Sequence, residues 1–399
     1  MSAAEIDHAL VGSKWEALSS ATEHQGRARV ALSAALAGGP SHAYLFRGPR
    51  GSGKRTAARA FAAEVLAAAS SDPKDARRRA LLDPSPHPDL VWLAPTGAQH
   101  MVEEVRERVI RAAAYRPFEG GKRVFVVEAA EAMRDESQNA LLKTLEEPPE
   151  FVHLILLSSD NEGLLETVAS RCQTVEFAPL PAQIVEKQLA DGTKSPPMED
   201  ISAHRPTEVD IPARPEEIAA AARLAAGDLE RARLLLSEPG RQLRGDVERC
   251  VTAALEGECS TAPWRGLLDR AKTVGEEAEA AAREALEEES KAGIKRSAKD
   301  ISDGAKRAGR RRRTEILTLA FELCATWLRD LAAVASGAEE VVFNCDRLDQ
   351  LRSQAQKLDP GVPRRGAEIV QETKRGLDLN VSEELALEAM FFRLEALFA

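Results

Sequence analysis

Short apolar runs alternate with helical patterns through the first half of the chain. The runs of strand length are residues 43–46, 90–93, 124–127, 152–157 and 174–177. Helical patterns lie between or before them, at residues 22–37, 54–66, 102–115 and 135–147. The run at 124–127 is continuously apolar, as expected of a strand that is buried on both faces. Strands that alternate with helices predict a parallel sheet with helices on both faces, which is an α/β domain.

After Pro179-Leu180-Pro181 the pattern becomes helical only. Residues 182–190 are helical, residues 216–237 form two short helices around Gly227-Asp228, and no strand signal follows residue 241. Residues 382–398 form a last amphipathic helix, with Ser382 as its N-cap. Two segments interrupt this half. Residues 191–215 are polar and proline-rich and read as a flexible insertion, and residues 275–308 read as an exposed helix or a partly disordered insertion.

Composition and charge narrow the class of protein. A chain of 399 residues favours two to three domains, and its net charge of −10 argues against strong DNA binding by this chain alone. The five cysteines are scattered without a C-x-x-C pair, so the pattern predicts reduced thiols and no zinc site. Residues 1–10 lack a long apolar run, so no signal peptide or membrane span is expected, and a cytoplasmic location is predicted.

The most informative stretch is a glycine-rich loop between a predicted strand and a predicted helix. Gly48, Gly51 and Gly53 let backbone N–H groups face an anion, and Lys54 stands at the phosphate-pairing position of such a loop. Arg55 occupies the place of the Ser or Thr that would hold magnesium, and Thr56 comes one residue late. The loop is therefore either a degenerate nucleotide site or a strand-to-helix turn that binds nothing.

An acidic strand end accompanies the loop. Glu128 follows the apolar run 124–127, at the position of the carboxylate that helps hold magnesium in P-loop ATPases. Ala129 stands where a water-orienting Glu would be, and a methyl group cannot polarise water. The next strand ends at Ser158-Ser159, where a polar group can approach a γ-phosphate, although a Ser at a strand end more often caps the following turn. Glu128 and Glu131 are equally compatible with being ordinary surface acids.

Ser170-Arg171-Cys172 precedes the last predicted strand and could present Arg171 at an edge of the domain. An arginine finger given in trans stabilises negative charge in the phosphoryl-transfer transition state of a neighbouring subunit. From spacing alone, an ordinary surface ion pair is the favoured interpretation.

Three stretches together resemble the AAA+ subunits of DNA polymerase III clamp loaders. They are residues 42–46 leading into the glycine loop, the string Asn-Ala-Leu-Leu-Lys-Thr-Leu-Glu-Glu-Pro-Pro at residues 139–149, and Ser170-Arg171-Cys172. The string at 139–149 is the most specific of the three. The resemblance covers roughly the first half of the chain, and residues 327–330 and 379–380 fit the second half in outline.

The resemblance implies an AAA+ P-loop domain at residues 1–180, a helical lid at 181–238 and an all-α collar for oligomerisation at 239–399. Arg55, Ala129 and the absence of a zinc module resemble the non-hydrolysing member of the family rather than its gamma/tau motor subunits. The phosphate-sensing arginine of the lid would fall at Glu230, with Arg231 one place off. The resemblance further assigns Arg171 as the arginine finger, given in trans to the ATP of a neighbouring motor subunit.

The predicted function is that of a stator in a loader that places the sliding clamp on primed DNA, with gamma/tau and delta subunits as partners. The degenerate loop residues Gly48, Gly51, Gly53, Lys54 and Thr56 are the candidate phosphate-binding set. No metal and no required cofactor are expected, although the loop could bind ATP without hydrolysing it. Two alternatives stay open: an ATP-hydrolysing motor subunit, and an interaction module unrelated to replication.

Overall fold

The structure is a computed structural model that describes residues 15–95, 99–159, 163–190, 213–291, 297–356, 358–377 and 382–399. Most of the predicted flexible insertion at 191–215, and the pair Leu379-Asn380, lie outside the described residues. The chain divides into two compact units, and it passes from the first to the second between Leu180 and Pro181. This division coincides with the predicted end of the α/β domain.

The first unit is an α/β domain. Its strands are β1 (Ala43–Arg47), β2 (Leu90–Leu93), β3 (Arg123–Val127), β4 (Val152–Ser158) and β5 (Gln173–Glu176). Its helices are α1 (Glu16–Ala21), α2 (Gly26–Gly38), α3 (Lys54–Ala68), α4 (Pro73–Leu81), α5 (Val102–Val105), which continues as a π-helix over Arg106–Arg111, α6 (Asp135–Glu146) and α7 (Glu166–Ala169). All five strand predictions are confirmed to within one residue at each end.

The five strands form one parallel sheet in the order β2-β3-β4-β1-β5. Successive residues of a strand point to opposite faces, so Tyr44 and Phe46 join one hydrophobic core while Ala43 and Leu45 join another. The first core contains residues of α1 to α4, and the second contains residues of α5, the π-helix, α6 and α7. The predicted α/β fold, with helices on both faces of a parallel sheet, is thereby confirmed.

The second unit is helical throughout its described residues. Its helices are α8 (Ala182–Ala190), α9 (Pro215–Leu224), α10 (Leu229–Leu236), α11 (Glu238–Glu256), α12 (Arg265–Lys291), α13 (Ala298–Ala335), α14 (Leu348–Ala355), α15 (Gly361–Leu377) and α16 (Glu383–Phe398). One core includes Leu224 and Leu235 of the predicted lid as well as Leu243 and Phe321 of the predicted collar. The two predicted segments thus share a core, and their separation into two domains stays a prediction.

Two helical features add to the sequence predictions. Residues 275–308 were predicted as an exposed helix or a partly disordered insertion, and their described parts are helical, forming the end of α12 and the start of α13. These helices approach closely at two glycines: a Cβ added to Gly309 would lie 2.7 Å from the Gly275 carbonyl oxygen. The second feature is the run of three arginines at residues 77–79. It lies in α4, where Arg77 forms an ion pair of 2.8 Å with Glu64, which is 3% exposed.

Among the described residues, none of the helices combines the length and the apolar composition that crossing a bilayer requires.

Candidate functional site

The glycine loop joins β1 to α3, and its backbone requires glycine at three positions. Gly51 and Gly53 have φ values of +71° and +83°, in the left-handed region that favours glycine. A Cβ at Gly48 would lie 2.2 Å from the carbonyl oxygen of Phe177, so close backbone approach excludes a side chain there. Helix α3 begins directly after Gly53, and its amino end adds positive potential at the loop. The loop therefore has the shape that a phosphate-binding turn needs.

A buried glutamine holds this loop in place. The Gln25 side-chain amide donates hydrogen bonds of 2.9 Å to the Ser52 carbonyl and 2.7 Å to the Ala178 carbonyl. The Ala178 backbone N–H donates to the Gln25 Oε1 atom at 3.0 Å. These three bonds connect the loop to the segment that follows β5. Sequence reasoning missed Gln25, because a single glutamine before a helix has no distinguishing pattern.

Lys54 lies where a phosphate-pairing lysine is expected. Its side chain is largely buried, at 8% exposure, and Nζ donates to the Pro49 carbonyl at 3.0 Å and to the Ser159 hydroxyl at 2.9 Å. The Glu131 carboxylate accepts a hydrogen bond of 3.1 Å from the Ser159 backbone N–H. The structure thus brings Lys54, Ser159 and Glu131 together at the carboxyl edge of the sheet. Glycines and lysine together fit the phosphate-binding part of a nucleotide site.

The metal-binding part of such a site does not fit. Arg55 stands at the position of the magnesium-binding hydroxyl, and its Nε atom lies 2.6 Å from Oε1 of Glu128 at the acidic strand end. Arg55 also pairs with Asp83 at 3.3 Å. The Trp92 indole N–H donates to the same Glu128 oxygen. Arg55 therefore replaces one of the two groups that would bind magnesium, and its guanidinium forms an ion pair with the other, Glu128.

A second arginine completes this group. Arg59, one turn further along α3, is 4% exposed and pairs with Asp83 at 2.8 Å. Its guanidinium lies 4.2 Å from the Trp92 ring centroid, and burial lowers the pKa of Arg59 below its usual value. Two arginines thus face two carboxylates around one indole. We call Arg55, Arg59, Asp83, Trp92 and Glu128 the Arg55 cluster.

Neither Thr56 nor Ala129 restores the missing chemistry. Thr56 is solvent-exposed on α3, consistent with a position rotated about 100° from Arg55 around the helix axis. Ala129 has a φ of +47° and offers only a methyl group after Glu128. Glu128 itself is fixed by its backbone, since its N–H donates to the Leu93 carbonyl and its carbonyl lies 2.7 Å from Nε2 of His100. Within the described ranges, no cluster of three or more His, Cys, Asp or Glu could hold a metal ion.

Arg171 lies in the short connection between α7 and β5, and β5 is an edge strand of the sheet. Its side chain is 37% exposed. Nη2 lies 2.6 Å from Oε1 of Glu146, the last residue of α6, and Nη1 donates to the Thr167 carbonyl at 3.0 Å. The next residue, Cys172, packs into the sheet core, and burial raises its pKa to about 12. Arg171 is thus an exposed cation on a well-anchored segment.

Arg231, one residue after the predicted sensor position, forms an ion pair within the second unit. Glu230, at the predicted sensor position, is exposed, while Arg231 pairs with Glu322 of α13. Burial pushes the pKa of Glu322 upward, but Lys374 and Arg231 outweigh that effect and hold the pKa below its usual value. Asp228 caps α10 by accepting hydrogen bonds from the backbone N–H groups of Glu230 and Arg231. Arg231 therefore has a carboxylate partner of its own in this unit.

The match to a known protein family covers the glycine loop, the Arg55 cluster and Arg171. Residues 27–181 match the family model described as DNA polymerase III, delta subunit. Over residues 27–181 the chain is therefore similar to this family. The resemblance seen in the sequence is thus confirmed for the domain that carries both the glycine loop and Arg171.

Individual relatives agree with the family match. The chain is 31% identical over 169 residues to DNA polymerase III subunit delta' of Bacillus subtilis, covering 41% of this chain and 50% of that protein. It is 39% identical over 149 residues to subunit delta' of Pseudomonas aeruginosa, covering 35% of this chain and 44% of that protein. It is also 32% identical over 152 residues to subunit tau/gamma of Haemophilus influenzae, covering 37% and 22%. The chain spans about half the length of the delta' relatives that it matches.

Proposed function

We propose that this chain is a non-hydrolysing clamp-loader subunit that supplies Arg171 to the ATP site of a neighbouring motor subunit. One observation carries the first half of the proposal: the Arg55–Glu128 ion pair joins the two positions that a catalytic magnesium ion would require. Without that ion, little stabilises the charge that develops during phosphoryl transfer. Ala129 removes the water-orienting carboxylate as well. Any nucleotide on Lys54 and the glycines would be held without turnover.

The second half of the proposal concerns Arg171. A finger given in trans must be exposed, positively charged and held on a firm segment, because its rate effect depends on placement. Arg171 is exposed, and both ends of its segment pack into the sheet core through Val168 and Val175. Among the described residues, the partners of Arg171 are Glu146 and Thr167, and neither belongs to the glycine loop of this chain. This arrangement supports a role for Arg171 at the ATP site of another subunit.

In this proposal the partners are gamma/tau and delta subunits, with the sliding clamp and primed DNA engaged by the assembled loader in the cytoplasm. The relatives named above support a place in such an assembly. With a net charge of −10, this chain is unsuited to carry DNA binding by itself. The lid and collar, as two separate domains of residues 181–238 and 239–399, stay part of the proposal.

The test is the clamp- and DNA-stimulated ATPase of the reconstituted loader, with wild-type chain against Arg171→Ala. Turnover at the neighbouring site is expected to fall by about 10³-fold, at the low end for arginine fingers. Arg171→Lys should also be defective, because an ammonium group lacks the planar fork of a guanidinium. Arg78→Ala is the matched control, since Arg78 is 68% exposed and pairs with a carboxylate of Asp75. Unchanged turnover in an assembled Arg171→Ala loader would refute the finger.

A second candidate is a motor subunit that hydrolyses ATP itself. The intact loop geometry and the position of Lys54 favour it, as does the likeness to subunit tau/gamma. The Arg55 cluster and Ala129 oppose it. Steady-state ATP hydrolysis by the purified chain separates the two, because the proposed function predicts none above background.

A further inference from the structure

The guanidinium of Arg171 is held at two points by its own chain. Nη2 pairs with Glu146 at 2.6 Å, and Nη1 donates to the Thr167 carbonyl at 3.0 Å. Arginine binds phosphate most strongly through two parallel N–H groups of its fork. Both terminal nitrogens already have partners, so a phosphate that binds Nη2 must compete with Glu146.

The hold by Glu146 is weak enough to be released. The two side chains are 37% and 50% exposed, and exposed ion pairs contribute little to stability because water and salt screen them. A nucleotide phosphate carries more charge than a carboxylate and offers several acceptor oxygens. A phosphate brought close by another subunit can therefore displace Glu146, whereas the backbone carbonyl of Thr167 can continue to orient the side chain.

We propose that Glu146 is a positioning residue that holds Arg171 back until the ATP of a neighbouring subunit displaces it. This inference rests on the proposed function, in which Arg171 acts in trans. Its consequence is competition: Glu146 and the nucleotide bind the same guanidinium in turn. Glu146 therefore raises the ATP concentration that the neighbouring site needs, without altering the rate once ATP has engaged Arg171.

The chain offers a matched control beside Glu146. Glu147 directly follows the end of α6, is also exposed, and has no recorded contact with Arg171 among the described residues. Glu146→Gln and Glu147→Gln thus remove the same charge from the same end of one helix. Only the first removes the ion pair to Arg171.

The experiment measures ATP hydrolysis by the complete loader, with clamp and primed DNA, across a range of ATP concentrations. Glu146→Gln is expected to lower the apparent KM for ATP by about two- to fivefold at unchanged kcat, as the strength of an exposed ion pair implies. Glu147→Gln should match wild type. Glu146→Asp keeps the charge and should restore the wild-type KM in large part. An unchanged KM for Glu146→Gln would overturn the inference.

A double-mutant cycle separates this inference from the proposed function. On an Arg171→Ala background, Glu146→Gln should have no further effect on KM. A persisting effect would mean that Glu146 acts through another residue. If Glu146→Gln instead lowers kcat, Glu146 supports the finger rather than restraining it, and the inference fails while the proposed function stands. If Arg171→Ala alone has no effect, the proposed function fails first.

Discussion

Two arginine–glutamate pairs of the first unit have the same separation and different surroundings. Arg55 and Glu128 lie 2.6 Å apart at the glycine loop, and Arg171 and Glu146 lie 2.6 Å apart near β5. The first pair is 23% and 22% exposed, and the second is 37% and 50% exposed. The contact distance is therefore the same, and burial and additional partners decide which pair can open.

The number of partners widens this difference. Arg55 also contacts Asp83, and Glu128 accepts from the Trp92 indole, whose ring in turn lies beside the Arg59 guanidinium. Removing one member takes a partner from several partly buried groups, which is costly at low dielectric. Within the described part of the chain, Arg171 has one further partner, the Thr167 carbonyl. The loop pair is a fixed part of the fold, while the second pair can exchange partners.

The largest expected difference is in stability. Glu128→Gln should lower the free energy of unfolding by about 1–2 kcal/mol, because it leaves the partly buried Arg55 without its closest charge. Glu146→Gln should cost less than about 0.5 kcal/mol, as usual for exposed pairs. Urea denaturation of the full chain measures both. Equal losses would show that the two pairs do not differ in the way their burial suggests.

A smaller effect should appear when the loop pair is opened. Arg55→Thr restores a magnesium-binding hydroxyl next to Lys54 and frees the carboxylate of Glu128. Magnesium with ATP should then raise the thermal midpoint of the variant by about 2–4 °C over ATP with EDTA, equivalent to about 1 kcal/mol of linked binding. Arg55→Lys, which keeps a cation, is the control. A magnesium response of the same size in wild type would contradict the view that Arg55 replaces the metal.

The smallest effect concerns salt. For each pair, a double-mutant cycle on unfolding measures the coupling free energy at about 0.1 M and at about 1 M NaCl. Salt screens exposed charges over this range, because the Debye length falls from about 10 Å to about 3 Å. The Arg171–Glu146 coupling should drop by about half, a few tenths of a kcal/mol. The Arg55–Glu128 coupling should change less because its partners exclude solvent. If salt weakens the loop pair more, solvent reaches it more freely than its exposure indicates.

Local chemistry was enough to predict the sheet. The apolar runs at Leu90–Leu93 and Val124–Val127 contain no charged residue, and both form strands. The end of α6 was equally clear, since Pro148-Pro149 cannot continue a helix. Residues 275–308 were harder, because charge and alanine content do not reveal that two long helices meet there. Their close approach at Gly275 and Gly309 depends on tertiary packing.

The sequence predicted which residues belong to the candidate site, but not which of them contact one another. Arg55 was recognised as a departure from an ATPase motif and Glu128 as its acidic position, but their ion pair was not predicted, although opposite charges at the two positions are a signal for it. Asp83, Arg59 and Trp92 had no such signal, because they come from a loop, a helix and a neighbouring strand that only the fold brings together. For Arg171, spacing alone favoured a surface ion pair. The structure contains such an ion pair, between Arg171 and Glu146, and the arginine finger proposed from the family resemblance uses the same guanidinium group.

The Arg55–Glu128 pair also constrains how this loop can change over evolutionary time. A substitution at either position alone leaves its partner charged and partly enclosed, so each single step toward an ATPase motif begins with a less stable protein. Ala129 adds a third required change, which brings no benefit until the other two are made. Under the proposed function, selection can therefore refine this chain as a partner of ATPases more readily than it can make it an ATPase.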